Sequence, residues 1–196
     1  MKYITIEREY GSGGTTIGKK LAEKCKIPCY GQEILERASE RLQISVDEIR
    51  NYEEKATNSV LYSFYMLSQA SSLSNEMISR EGKVYVEEQN AIQEFADRGS
   101  AIFLGHCASE ALKERDNVIH VYIHADAETK KQRIMEDYGV PEVNVSVVER
   151  KNNKRRGSYY AANTQKKWND YRNYDIVLDS SRLGIDGCVN ILAGLF

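Results

Sequence analysis

Apolar and polar positions alternate along KYITI (2–6), in the two-residue period of a half-buried strand. From Gly14 to Cys25 the period changes, and Ile17, Leu21 and Ala22 fall on one side of a helix. Pro28 disfavours helix at Ile27, so IPCY (27–30) reads as a short extended piece. Gln32 to Leu42 reads as helix. Ser45, followed three residues on by Glu48, opens another with a capping box. The apolar and aromatic stretch 59–74 predicts a helix, and so does Gly82 to Asp97, closed by Gly99. AIFLG (101–105) is a continuous apolar run of the kind found in buried parallel strands. His106 to Glu114 predicts a short helix, NVIHVYIHA (117–125) a strand, and Ala127 to Tyr138 a helix ended by Gly139 and Pro141. Val143 to about Trp168 is polar, basic and tyrosine-rich, and predicts two helical pieces. DIVLD (175–179) predicts a last buried strand and Ile185 to Leu195 a last helix.

Strands that alternate with helices predict an α/β fold, a doubly wound parallel sheet of about five strands. Ligands of such sheets lie outside the carboxyl ends of the strands. No long linker, repeat or low-complexity tract interrupts the pattern, so one domain over 1–196 is expected. Composition adds little: 41% hydrophobic, 29% charged, net charge −2. A balance so close to neutral gives no reason to expect nucleic acid or an anionic membrane as partner. No apolar stretch approaches the ~20 residues that span a bilayer. The chain opens directly on a strand-like run with no leader, which makes the cytoplasm the expected compartment. The four cysteines, Cys25, Cys29, Cys107 and Cys188, form no CxxC pair and read as buried free thiols. His120, Tyr122 and His124 share a strand face, but no third metal ligand is evident.

The chemistry concentrates in EREYGSGGTTIG (7–18). A phosphate-binding loop reads G-x-x-x-x-G-K-[ST] between a strand and a helix. Its glycines let backbone N–H groups converge on phosphate oxygens, and the helix N-terminus adds a favourable dipole. Set on this chain, the motif puts Arg8 at the first glycine, Gly13 at the second and Gly14 at the lysine. Thr15 or Thr16 takes the hydroxyl position. Two readings stand: an anion cradle without its lysine, or a tight turn that needs glycine for its backbone. Arg8, Lys19 and Lys20 are the nearby substitute cations.

Two further segments are NNKRRGSYY (152–160), a basic cluster before a tyrosine pair, and NYDIVLDSSRLGID (173–186), a strand running into a Ser/Arg turn. With REYGSGG, IPCYGQEIL and AIFLGHCA, in this order, the chain resembles the cytidylate kinase-like family along essentially its whole length. The resemblance implies a P-loop NTPase-type three-layer sandwich, a helical acceptor region at about 31–98 and a basic lid at about 143–170. It implies transfer of the ATP γ-phosphoryl group, with Mg2+, to cytidylate or a related small acceptor. Gly11, Ser12, Gly13, Gly14, Thr15 and Thr16 would cradle the ATP phosphates, with Thr15 or Thr16 reaching Mg2+. Arg37 would hold the acceptor phosphate, with Arg150 as a further acceptor contact from the lid. His106, at a strand end facing the crevice, either donates to an acceptor phosphate or simply starts the helix. Arg8, Arg155 and Arg156 would carry transfer, and Ser180, Ser181 and Arg182 would lie near the adenine.

The chain departs from the family pattern at four positions. Thr15 stands where many relatives have a basic residue, Gly31 where Asp is usual, His106 for an arginine and Asn153 for an acidic residue. Each departure removes charge from the places where acceptor and γ-phosphate are held. Two alternatives therefore stand beside a cytidylate kinase: a nucleotide- or phosphate-binding protein without turnover, and a kinase for another small acceptor. The expected partner is a small phosphate-bearing ligand, and the chain is expected as monomer or homodimer.

Overall fold

The computed structural model describes residues 1–56 and 80–196. The helix expected at 59–74 lies outside the described residues. Five strands form one parallel sheet: β1 (Tyr3–Arg8), β2 (Cys29–Tyr30), β3 (Ala101–Leu104), β4 (Val118–His124) and β5 (Ile176–Asp179). Their spatial order is β2-β3-β1-β4-β5, with β1 at the centre. Eight helices are described: α1 (Gly14–Cys25), α2 (Gln32–Leu42), α3 (Val46–Ala56), α4 (Arg80–Asp97), α5 (Ala108–Ala111), α6 (Ala127–Tyr138), α7 (Glu142–Thr164) and α8 (Ser180–Ala193). None of them is long and apolar enough to cross a membrane.

Strand alternation sorts the sheet's side chains into two cores. Ile4 and Ile6 of β1, Ile102 and Leu104 of β3, and Val121 and Ile123 of β4 pack with Ile17 and Leu21 of α1 and Leu192 of α8. On the opposite face Tyr3, Ala101 and Phe103 pack with Ile92 and Phe95 of α4 and with Leu112. A third cluster, Tyr85, Cys107, Tyr122, Tyr159, Tyr160 and Trp168, continues that face towards the strand ends and joins α4 and α7 to the sheet. Helix, sheet and helix layers result, with the ends of β1 and β3 opening between α1 and α7.

Three expectations change in detail. The helix expected from His106 shrinks to α5, because Gly105, His106 and Cys107 all adopt left-handed conformations (φ 75°, 54° and 52°). Two of these residues carry a Cβ, so this turn stores backbone strain at a strand end. The two pieces expected at 143–168 are one helix, α7, which stops at Thr164; a single 3₁₀ turn follows at Tyr171–Asn173. The last helix starts at Ser180, capped by Asp179, and Gly184 (φ 67°) interrupts its geometry before Ile185. Helix α4 takes in the expected Gly82–Asp97 and is described from Arg80 on.

Candidate active site

The glycine-rich turn joins the end of β1 to α1, and its geometry requires glycine at three positions. Gly11 and Gly13 have φ of 81° and 76°. A Cβ on Gly11 would lie 2.9 Å from both the Lys130 carbonyl oxygen and Ile134 Cγ1, and one on Gly13 would collide with Ile185. Gly14 stands where the motif has lysine. A Cβ there would lie 2.5 Å from Arg8 Cβ and 2.8 Å from Arg8 Cγ. The stem of Arg8 therefore fills the space that a side chain at residue 14 would need. The Arg8 guanidinium runs on to Gly105, whose absent Cβ makes room for Nη1.

The loop is braced from behind. Ser12 is fully buried and its hydroxyl donates to the Glu9 carbonyl oxygen at 2.8 Å. Its own carbonyl accepts from Arg133 Nη1 at 3.0 Å and from Ser180 Oγ at 2.6 Å. Ser180, expected near adenine, is fully buried and serves here as a strut between the loop and α8. Ser181 Oγ accepts from the Asp126 backbone N–H at 3.2 Å, and Arg182 is exposed in the first turn of α8. Thr15 is half-buried and Thr16 exposed at the head of α1.

Beside the loop, at the carboxyl ends of β1 and β3, lies a cavity of about 150 Å³. It is lined by Arg8 and Glu7 of β1, Gly105 and His106 after β3, Arg155 and Arg156 of α7, and Arg50 of α3, with Leu35, Cys107, Tyr159 and Tyr160 completing the wall. The four cationic or imidazole groups expected from sequence, Arg8, His106, Arg155 and Arg156, thus converge. Helix α7 brings its two arginines in because it is docked on the loop. Arg156 Nη1 donates to the Arg8 carbonyl oxygen at 2.8 Å and its guanidinium lies over the Tyr10 ring. The Tyr10 N–H donates to Asn153 Oδ1 at 2.7 Å. Lys130 bridges Glu9 at 3.0 Å and Glu149 at 2.8 Å. Tyr159 donates to Glu88 of α4, a fully buried carboxylate 3.7 Å from His106 Nδ1.

Burial, and then the neighbouring Arg8 charge, push the Arg156 guanidinium down to about 9; Glu7 opposes the shift. At neutral pH Arg156 remains charged, in a setting where a bound anion would relieve its cost.

Arg37 and Arg150 are not among the residues that line this cavity. Arg37 is held by Glu94 through Nε and Nη2, both at 3.0 Å, and by Glu40. Arg150 is exposed on α7. Lys20 pairs with Asp186 at 2.8 Å on the surface. Sequence reasoning missed Glu7, Arg50 and Arg133. Glu7 carried a readable signal, since alternation places it opposite Ile4 and Ile6, at the end of β1. Arg50 and Arg133 carried none beyond being basic residues on helices.

Comparison with solved structures gives the same architecture. An uncharacterized protein from Eubacterium ventriosum ATCC 27560 superposes with a TM-score of 0.71 at 26% identity, over 99% of this chain and 97% of that one. Shikimate kinase from Bacteroides thetaiotaomicron gives 0.54 at 16% identity, over 99% and 97%. TT1252 from Thermus thermophilus gives 0.52 at 18% identity, over 100% and 98%. No curated protein matches. The cytidylate kinase-like family matches residues 3–182, which takes in the loop, the cavity and the basic helix. With a parallel sheet ordered β2-β3-β1-β4-β5 and a glycine cradle after its central strand, the chain has the P-loop kinase fold and belongs to the cytidylate kinase-like family.

Proposed function

We propose that the protein moves the γ-phosphoryl group of ATP onto a small anionic acceptor, with cytidylate the first to be tested. One observation carries this reading: Arg8, His106, Arg155 and Arg156 meet in one cavity beside a glycine loop that fits phosphate. The fit is steric. The loop excludes Cβ atoms at residues 11, 13 and 14, which keeps backbone N–H groups accessible at the head of α1. ATP, when bound, supplies the phosphoryl group. The chain's own part is placement and positive charge, which is most of what phosphoryl transfer asks of a protein.

Arg8 takes the role of the missing lysine, since its stem occupies the space above Gly14. Arg156 and Arg155, delivered by the lid helix α7, face the transferring group. Their planar guanidinium forks match phosphate oxygens better than an ammonium does. His106 and Arg50 stand on the acceptor side. Arg37 and Arg150 remain proposed acceptor contacts only if α2 and α7 move. Arg133, Ser181 and Arg182, on α6 and α8 beside the loop, would face the nucleoside end of ATP, with the buried Ser180 bracing the loop beneath it. Among the described residues, no group of three or more His, Cys, Asp or Glu could hold a metal. Magnesium held by phosphates and water needs few protein oxygens, and Thr15 or Thr16, at the head of α1, would give one. A cytoplasmic location suits an enzyme fed by ATP.

The test supplies Mg-ATP with each nucleoside monophosphate and with small anionic acceptors, and follows ADP release. Turnover on cytidylate supports the cytidylate reading. Arg156→Ala should lower turnover by ~10³-fold without lowering the melting temperature. Equal loss of both would make Arg156 a structural residue. One observation favours a second reading, binding without turnover: Arg156 already spends a donor on the Arg8 carbonyl. Tight ATP binding with no ADP release on any acceptor would select it.

A further inference from the structure

We propose that Glu7 is the general base of this site, and that the acceptor's reacting group is a hydroxyl rather than a phosphate. This rests on the phosphotransferase reading above and narrows its substrate class to compact alcohols that carry a carboxylate or a phosphate.

Glu7 ends the apolar–polar alternation of the central strand and is only 7% exposed. It lines the same cavity as Arg8, Arg50, His106, Arg155 and Arg156. One carboxylate oxygen, Oε2, accepts from Trp168 Nε1 at 2.8 Å. No other hydrogen bond among the described residues reaches the carboxylate, which leaves Oε1 open to the cavity. Across the strand pair its neighbour is Tyr122, on the same face. Anchoring the indole needs one neutral acceptor atom and no charge; the charge itself also helps keep Arg156 protonated. A buried carboxylate is costly unless it is compensated. If the acceptor offered a phosphate as nucleophile, a carboxylate in its pocket would repel it. An acceptor hydroxyl turns the same carboxylate into a hydrogen-bond acceptor and then a base.

The step balances as follows. The acceptor O–H gives its proton to Glu7 Oε1 as the hydroxyl oxygen forms a bond to the γ-phosphorus. The bond from that phosphorus to the bridging oxygen breaks, and ADP leaves with the electron pair. The products are a phosphate monoester, ADP and one proton, which Glu7 passes to solvent. Arg50 and Arg155 would hold the acceptor's anionic end, and Arg8 and Arg156 the transferring group.

Glu7→Gln tests this without an identified acceptor, because the variant keeps an oxygen for Trp168 and removes the base. Water stands in for the hydroxyl in slow Mg-ATP hydrolysis. That rate should fall by ~10²-fold although ATP binds no more weakly than to the parent protein and the variant stays folded. Hydrolysis that is absent in the parent protein, or unchanged in the variant, overturns the proposal. A binding readout comes from Trp168, the single tryptophan of the chain, which donates to Glu7. Glycerol 3-phosphate and glycerate should shift its emission at concentrations at least tenfold below methyl phosphate and propionate, which lack the hydroxyl. Comparing the two alcohols tells phosphate from carboxylate as the anionic end. Equal response to alcohols and hydroxyl-free anions overturns the proposal. So does a phosphorus NMR spectrum showing a new phosphoanhydride on cytidylate, formed as fast by Glu7→Gln as by the parent; that result would leave the kinase reading intact. Failure of ATP to bind the parent protein would instead remove the kinase reading itself.

Discussion

At residue 14 the chain trades a lysine for a glycine, and Arg8 explains the trade. The two side chains compete for one volume, since a Cβ at 14 sits 2.5 Å from Arg8 Cβ. Restoring the usual loop lysine by Gly14→Lys should therefore cost about 1–3 kcal/mol of stability, the range for overpacked positions, and should not raise ATP affinity. Removing the competitor in Arg8→Gly/Gly14→Lys should recover the stability lost to Gly14→Lys, measured against Arg8→Gly, and bring ATP affinity back above that of Arg8→Gly alone. Chemical denaturation and calorimetric titration read the two effects, and a double-mutant cycle isolates the coupling. Additive losses would show that Arg8 and residue 14 do not share the space.

At the scale of elements, period and punctuation foretold most of the sheet and helices, because both follow from local burial. The boundaries that failed are those set by tertiary contacts. His106 and Cys107 carry no left-handed signal, yet the turn after β3 holds them there beside Arg8 and Glu88. The break expected within 143–168 does not occur because α7 docks along its length on the loop, through Asn153 and Arg156, and on α4, through Tyr159. The candidate site was legible where residues are adjacent in sequence, as in the glycine loop and the pair Arg155 and Arg156. It was not legible for Arg50, which reaches the cavity only because α3 packs against its neighbours. That helix starts with the capping box foreseen from sequence: Glu48 N–H donates to Ser45 Oγ at 3.2 Å, and Ser45 N–H to Glu48 Oε2 at 3.1 Å. Ser45→Ala should cost about 0.5–2 kcal/mol. If α3 presents Arg50 to the acceptor, the same change should raise the acceptor's KM and leave ATP affinity alone, measured by steady-state kinetics and titration. A shift in ATP affinity of equal size would place Arg50 on the nucleotide side.

At the scale of the whole molecule, the central strand, the loop and α7 meet at Arg156, and its protonation links them. Its guanidinium is pushed down to about 9 by burial first and by Arg8 next, with Arg155 adding to the shift and Glu7 and Tyr138 opposing it. For a base whose folded value lies below its unfolded one, the charged form is the destabilised form. Arg156 therefore weakens the fold at neutral pH, and that penalty shrinks as pH rises through about 9 towards the ordinary arginine value. Ligand binding carries the opposite sign. A phosphate group beside the guanidinium favours its charged form and raises its value, so the complex keeps a proton that the free protein gives up. ATP affinity should be flat between pH 7.5 and 8.5, where the ligand's own phosphate ionisation (near pH ~6) is complete. Above about 9 it should fall towards tenfold per pH unit, with proton uptake on binding. Calorimetry in buffers of different ionisation enthalpy measures that uptake directly. Arg156→Ala should bind ATP more weakly at pH 8, and the uptake should vanish. An unchanged pH dependence in Arg156→Ala would assign the titration to another group and remove the link between α7 and the loop.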